Sequence, residues 1–189
     1  GAFGTLRERH SRQMEGMIRQ LEIRACTDGL TGLFNQHYFQ ESLPAWLREA
    51  SARGDPVSLV HIDLDGLKAI NDTQGHAQGD IVLKHVGRLI AGEARPLDIA
   101  ARTGGDEFVL LLPGTDAAGA TAVAERLRQR VAQTPCARAD GKGRLPVTVS
   151  LGVATSARGT GTAEDLLRRA DEALYRSKAA GRNRVSLSG

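Results

Sequence analysis

The sequence predicts an α+β domain, with a mixed, largely antiparallel central sheet flanked by helices and a helical arm in front. Three observations lead there. Strand-like apolar runs alternate with segments of helical period along the 189 residues. Two of those runs meet at Gly104-Gly105, and a hairpin in mid-chain argues against a purely parallel, doubly wound sheet. Neither GxGxxG nor GxxxxGKS/T occurs, since Gly141-Lys142-Gly143 lacks the hydroxyl residue, so Rossmann and P-loop readings are not available.

The elements follow in order. Residues from about Thr5 to Ala25 are rich in Arg, Glu and Gln without proline, and Met14, Ile18, Leu21 and Ala25 are spaced four and three apart. This predicts a helix with barely two heptads of seam, either a solvated amphipathic arm or a dimerising stalk. The division is residues 1–26 as stalk and 27–189 as the main domain. Gly29 and Gly32 break the pattern, and Asn35 is a good N-cap for a helix over about Gln36 to Arg53. After the turn Gly54-Asp55-Pro56, Val57 to Ile62 is a strand by its β-branched content and delivers Asp63 at its C-terminal end. Period two then puts Asp63 and Asp65 on one side of the chain. From Gly66 to Asp80, short helical turns broken by glycines crowd Lys68, Asn71, Asp72, Gln74, His76 and Asp80 together. An amphipathic helix is expected from Ile81 to about Ala94.

Arg95 to Asp98 ends that helix. Ile99 to Thr103 and Phe108 to Leu112 make the hairpin, with Gly104-Gly105 filling both positive-φ positions of a two-residue turn. A helix with Ala120, Val123, Ala124, Leu127 and Val131 inward follows the turn at Pro113 to Asp116. Thr134 to Arg144 reads as loop, and Leu145 to Ala154 alternates as a half-buried strand. Thr162 and Asp165 resemble a capping box for a helix with Leu166, Ala170, Ala173 and Leu174 inward; Gly181 closes it as its C′ residue, before a last short strand at Arg184 to Leu187.

The length holds one domain of about 150 to 170 residues and a short appendage. Net charge is +3, but 25 Lys and Arg are interleaved with 22 Asp and Glu, and aromatic residues are 4% of the chain. With neither a basic stripe nor an aromatic platform, nucleic acid is not the expected partner. Cys26 and Cys136 lie in no CxxC and beside no His cluster, so neither a disulfide framework nor a zinc site is supported, and a reducing cytoplasm fits best. No apolar run approaches the roughly 18 residues of a membrane span, and no signal peptide opens the chain. The start at Gly1-Ala2 instead of Met suggests a longer protein whose upstream part holds a sensor or a membrane anchor.

Chemistry concentrates at Asp106 and Glu107. Two adjacent acids at a tight turn, beside an apolar strand, suit a hard cation and the phosphate it carries; a solvated acidic turn is the alternative. Several motifs then coincide. Gly104-Gly105-Asp106-Glu107-Phe108, Asp28-Gly29-Leu30-Thr31-Gly32-Leu33-Phe34-Asn35, Asp63 to Asp72 with Gly75-His76 and Gly79-Asp80, and Ala170 to Tyr175 with Lys178 to Asn183 stand in the order found in the GGDEF family. The chain resembles that family, the diguanylate cyclases of bacteria, over roughly Thr27 to Ser188.

The resemblance implies a fold similar to adenylyl cyclase catalytic domains and polymerase palms. It implies condensation of two GTP molecules to cyclic di-GMP and two pyrophosphates by a homodimer, each domain holding one GTP. By the same resemblance, Asp63, Asp106 and the backbone carbonyl of Leu64 would hold Mg²⁺ or Mn²⁺, and Asp106 would accept the 3′-hydroxyl proton. Glu107 would either bind a second metal or shape the turn. Asp80 and Asn71 would read guanine, with His76 between them or capping the next helix. Lys68, Lys178 and Arg182 would meet phosphates, the last two on one helical face if the helix persists. Arg95 to Asp98 matches an inhibitory Arg-x-x-Asp motif that binds cyclic di-GMP, with Arg126 supplying a second arginine. Two departures stand out. Gln36 replaces a usual arginine, removing a charge near the phosphates, and Leu67 replaces a usual phenylalanine. The rival to an enzyme is a receptor for GTP or cyclic di-GMP that has lost turnover.

Overall fold

Strand β2 (Val57–Leu64) occupies the middle of the sheet and is buried along nearly its whole length, as its run of β-branched and apolar residues requires. The computed structural model describes residues 2–189, with side chains from residue 8. The other elements are α1 (Ala2–Cys26), β1 (Phe34–Asn35), α2 (Gln36–Arg53), α3 (Leu67–Gln74), α4 (His76–Glu93), β3 (Ile99–Arg102), β4 (Glu107–Pro113), α5 (Ala117–Gln133), β5 (Cys136–Ala137), β6 (Arg144–Leu145), β7 (Val149–Ser156), α6 (Ala163–Ala179) and β8 (Val185–Leu187). The main sheet runs β1-β3-β4-β2-β7-β8, and β5-β6 form a small second sheet. Its three inner pairings are antiparallel and its two edge pairings, β1 with β3 and β7 with β8, are parallel. The predicted mixed, largely antiparallel α+β architecture is therefore the one observed.

Both faces of the sheet are covered. One carries Val60, Ile62, Leu110, Leu112 and Leu151 against Val86 and Ile90 of α4 and Ala124 and Leu127 of α5. The other carries Leu59, Val109 and Leu111 against Phe39, Leu43 and Leu47 of α2 and Leu166 and Ala170 of α6. Each buried Leu contributes about 1.5 to 3 kcal/mol. That packing carries α2 through Pro44, which removes one helical hydrogen bond in mid-helix. At Gly152 of β7 any Cβ would overlap the α6 backbone at Ala170 and Leu174, so α6 lies directly on the strand.

Several predicted boundaries shift. Asn35 caps α2 as expected, its Oδ1 accepting from the Tyr38 N–H at 2.9 Å. Helix α4 starts at His76 instead of Ile81, with Gly75 as a cap that has no side-chain bond. The strand read from Leu145 starts at Val149, because Leu145 pairs with Cys136 and Pro146 has no N–H to give a ladder. It is buried on both faces, not half-buried, since α5 and α6 flank it. The stretch read as loop from Thr134 contains β5 and β6, docked by buried Gln78, whose side chain donates to Ala137 O at 3.0 Å and accepts from Ala139 N–H at 2.7 Å.

Candidate active site

The end of β2 and the start of β4 bring the acidic residues together. Asp63 faces Glu107 across the ladder, and the Leu64 N–H donates to the Asp106 carbonyl at 3.0 Å. Asp63 is 5% exposed; one carboxylate oxygen forms an ion pair with Lys178, and the other, Oδ1, is buried without any partner. Burial pushes the Asp63 carboxyl up to about 6, helped by the charges of Asp106 and Glu107 and opposed by Lys178. Burial works against the charge of Lys178, but Asp63 outweighs it and holds the ammonium above its ordinary value. An orphaned carboxylate oxygen on a residue near two further carboxylates is a donor set that fits a hard divalent cation. Among the described residues no group of three His, Cys, Asp or Glu side chains is already gathered for a metal, so the backbone carbonyl of Leu64 and ligand phosphates would have to complete the shell.

The turn differs from the expected two-residue hairpin. Gly104 and Gly105 are both outside the positive-φ region, and the ladder ends at Arg102 opposite Phe108. The loop is longer, closed by the Thr103 N–H donating to Glu107 O at 3.0 Å. Gly104 is small for another reason, since a Cβ there would crowd the Glu107 side chain. Arg102, which the sequence reading passed over, holds the loop: its guanidinium donates to Gly104 O at 3.1 Å and Gly105 O at 2.8 Å, and to Asp28 at 3.3 Å. Asp28 pays for burial, yet the Thr31 hydroxyl and N–H together with Arg102 keep its carboxyl below the ordinary value. The signal was available, an arginine closing a strand just before two glycines.

Behind this loop, His61 lies between Glu107 and Asp171, at 3.9 and 3.4 Å. Burial lowers its pKa against the pull of both carboxylates. Gln36 lines a cavity of about 210 Å³ with His61, Thr103 and Glu107.

The residues expected at the base sit on two touching helices. Asn71 near the end of α3 has its Oδ1 buried without a partner, and Gly79 of α4 leaves room for it, as a Cβ at 79 would overlap the Asn71 amide. Asp80 and His76 are exposed on the first turns of α4. His76 follows the capping position rather than occupying it. Lys68 is exposed in the first turn of α3. Arg182 is not on the helical face of Lys178: α6 ends at Ala179, Gly181 follows with φ 118°, and Arg182 itself has φ 64°. Asp65 does not join Asp63 in the site; Thr148 and Ser150 donate to it at 2.8 and 2.7 Å.

Asp98 is at the far end of β3. It accepts from the Arg95 N–H at 2.7 Å and from its guanidinium, which also donates to Thr115 Oγ1 at 2.6 Å. The side-chain bond to Asp98 and its charge raise the Arg95 pKa against the effect of burial. Arg126 is held by buried Glu93 at 2.7 Å, which also pairs with Arg130 at 3.0 Å.

The profile described as "Diguanylate cyclase, GGDEF domain" matches residues 25–184. The chain belongs to the GGDEF family. Among GGDEF relatives, the response regulator PleD of Caulobacter vibrioides is 45% identical over 161 residues, 85% of this chain and 36% of PleD. Diguanylate cyclase A of Treponema denticola is 44% identical over 172 residues, 89% of this chain and 46% of that enzyme. The chain thus spans less than half the length of either. The coiled coil and GGDEF domain of DgcB from Caulobacter crescentus, solved with c-di-GMP, superposes with a TM-score of 0.89 at 34% identity, over 95% of this chain and 94% of that one. Diguanylate cyclase SiaD of Pseudomonas aeruginosa, solved with its activator SiaC, gives 0.83 at 34% identity, over 97% and 70%.

Proposed function

We propose that residues 27–189 form the catalytic domain of a diguanylate cyclase, carried on a stalk of residues 1–26. The observation that carries this reading is the unpartnered Oδ1 of Asp63, buried at the sheet end opposite Glu107 and beside the loop of Asp106. Asp63, Asp106 and the carbonyl of Leu64 would hold Mg²⁺ or Mn²⁺, which when bound neutralises phosphate charge in the phosphoryl transfer. Glu107, packed over Gly104, would bind a second such cation. The chain's own work is orientation and proton transfer. Asp106 accepts the proton of a 3′-hydroxyl as that oxygen bonds to the α-phosphorus of the second GTP; the bond to the β-phosphate breaks and pyrophosphate leaves. Two such events close cyclic di-GMP. Lys178 leaves Asp63 for the phosphates, with Lys68 and Arg182 alongside.

Asn71 Oδ1 and Asp80 accept from the guanine N2 amino and N1–H groups, which adenine lacks, so ATP would leave them unpaired. His76 borders the same edge. One domain holds one GTP, so two copies face each other. The stalk supports this, since Met14, Ile18 and Leu21 are each more than half exposed on one side of α1. Arg95, Asp98 and Arg126 form the inhibitory site for cyclic di-GMP. No helix of the described residues is long and apolar enough to cross a membrane. The proposed setting, from the family and the unpaired cysteines, is the cytoplasm, downstream of a sensor. Incubation with GTP and Mg²⁺ tests the reading. Cyclic di-GMP should form; tight binding of GTP or cyclic di-GMP without product would instead identify a receptor.

A further inference from the structure

Among the described residues, Arg182 and Asn183 are the non-glycine residues with positive φ, at 64° and 45°. Two successive side-chain-bearing residues in the left-handed region are unfavourable unless the surroundings hold them there. The start of this turn follows from α6 itself. Gly181 N–H donates to Lys178 O at 3.3 Å and Arg182 N–H to Ser177 O at 3.0 Å, the paired bonds of a helix end closed by glycine. Those bonds reach no further than Arg182. The next residue is fixed from across the fold: the Asn183 N–H donates to Asp65 Oδ2 at 3.1 Å, over 118 positions of sequence.

Asp65 is well placed to be an anchor. Its Oδ1 accepts from Ser150 Oγ at 2.7 Å and its Oδ2 from Thr148 Oγ1 at 2.8 Å, while its own N–H donates to Thr148 O at 3.0 Å. The carboxylate is therefore locked to β7 on one side and to the turn on the other. A second tie acts on the same residue, Arg128 Nη1 donating to Asn183 Oδ1 at 3.1 Å, with Arg128 itself pinned by Glu125. The exposed Arg182 side chain makes no hydrogen bond or ion pair among the described residues, so the turn backbone fixes only the point from which it departs and leaves its guanidinium free for a ligand. Asp65 stands two residues after Asp63, and one carboxylate thus fixes the strand end that carries Asp63 relative to the turn that carries Arg182.

We propose that Asp65 is a positioning residue. It touches no substrate; it holds the strained Arg182-Asn183 turn so that the Arg182 guanidinium points at the triphosphate. This rests on the reading that Arg182 meets phosphate, and the experiment separates the two.

The probe is 3′-deoxy-GTP with Mg²⁺, which lacks the attacking hydroxyl, titrated calorimetrically against wild type, Asp65→Ala, Asp65→Asn, Arg182→Ala and the Asp65→Ala/Arg182→Ala double variant. GMP serves as the control ligand without the outer phosphates. Asp65→Ala should weaken 3′-deoxy-GTP roughly tenfold, as loss of a charge-assisted contact does, and leave GMP within about twofold. Asp65→Asn retains an oxygen for the Asn183 N–H and should restore most of the affinity. In the double variant the second change should add little, because both act through one guanidinium. A cooperative thermal unfolding transition with the wild-type circular dichroism spectrum shows that each variant is folded. If Asp65→Ala does not fold, Asp65→Glu, with the carboxylate displaced by one methylene, takes its place. Weakening of 3′-deoxy-GTP by Arg182→Ala but not by the Asp65 variant, or fully additive effects, overturns the positioning role and leaves the phosphate role standing. No effect of Arg182→Ala overturns both.

Discussion

Replacing Asp63 with asparagine should abolish turnover and at the same time stabilise the metal-free protein. The carboxyl titrates at about 6 in the fold against an ordinary 3.8, chiefly because it is buried. Between those values the native protein keeps a proton that the unfolded chain has lost, so stability falls as pH rises through that window. Above pH 6 the loss is complete, about two pK units or roughly 3 kcal/mol. Asparagine has almost the same shape and never ionises. The variant should match wild type near pH 4 and exceed it at pH 7.5 by up to about 3 kcal/mol, which for a chain of this size is roughly 6 to 12 °C in Tm. Thermal unfolding of both proteins at the two pH values, with and without Mg²⁺, is the assay. Added Mg²⁺ should raise the Tm of wild type at pH 7.5 more than that of the variant, which keeps Asp106 and Glu107 but has lost the charged ligand at position 63. A variant less stable than wild type at pH 7.5 without metal, or a difference that does not change with pH, would refute the account of Asp63 as an acid buried for a cation.

Asp106→Ala should leave the unfolding transition within about 1 kcal/mol of wild type, since the side chain is on a surface loop, and eliminate cyclic di-GMP in a chromatographic assay. Asp80→Ala should raise the Michaelis constant for GTP and erode discrimination against ATP by about 1 to 3 kcal/mol; unchanged binding of both nucleotides would place the base elsewhere. Gly79→Ala drives a methyl into the Asn71 amide, so it should raise the same constant without removing any polar group, and a wild-type value would show that Asn71 does not serve the base. Arg95→Ala should abolish the slowing of progress curves as product accumulates while initial rates hold, because the four residues of β3, about 13 Å of extended chain, separate it from the acidic loop. Equal slowing in both proteins would reduce Arg95 to Asp98 to a turn.

What could be read from the chain was what neighbours in sequence determine. The β-branched run of Val57 to Ile62 has one sensible state, and Asn35 before Gln36 is a cap by its own chemistry, so β2 and the start of α2 fell where expected. The helix face of Leu166, Ala170, Ala173 and Leu174 and the close of α6 at Gly181 followed from period and φ in the same way. The family motifs named Asp63, Asp106, Asn71 and Asp80, and the structure puts Asp63 at the end of β2, Asp106 in the loop before β4, and Asn71 and Asp80 on the touching helices α3 and α4.

Tertiary structure decided what depends on partners far along the chain. Gly104 and Gly105 form a longer loop than their type suggests because Arg102, tied to Asp28 over 74 positions, draws in both of their carbonyls. Helix α4 gains its first turn because Gln78 finds a backbone partner at Ala137 and Ala139, which also turns a polar stretch into the small β5-β6 sheet. Asp65 resembles Asp63 in type and spacing, yet Ser150, Thr148 and Asn183 claim it, leaving Asp63 alone with an unpartnered oxygen. Periodicity and propensity act over a few residues and record which face is buried. Which of two equivalent carboxylates is satisfied and which is left open depends on the donors the completed fold sets beside each.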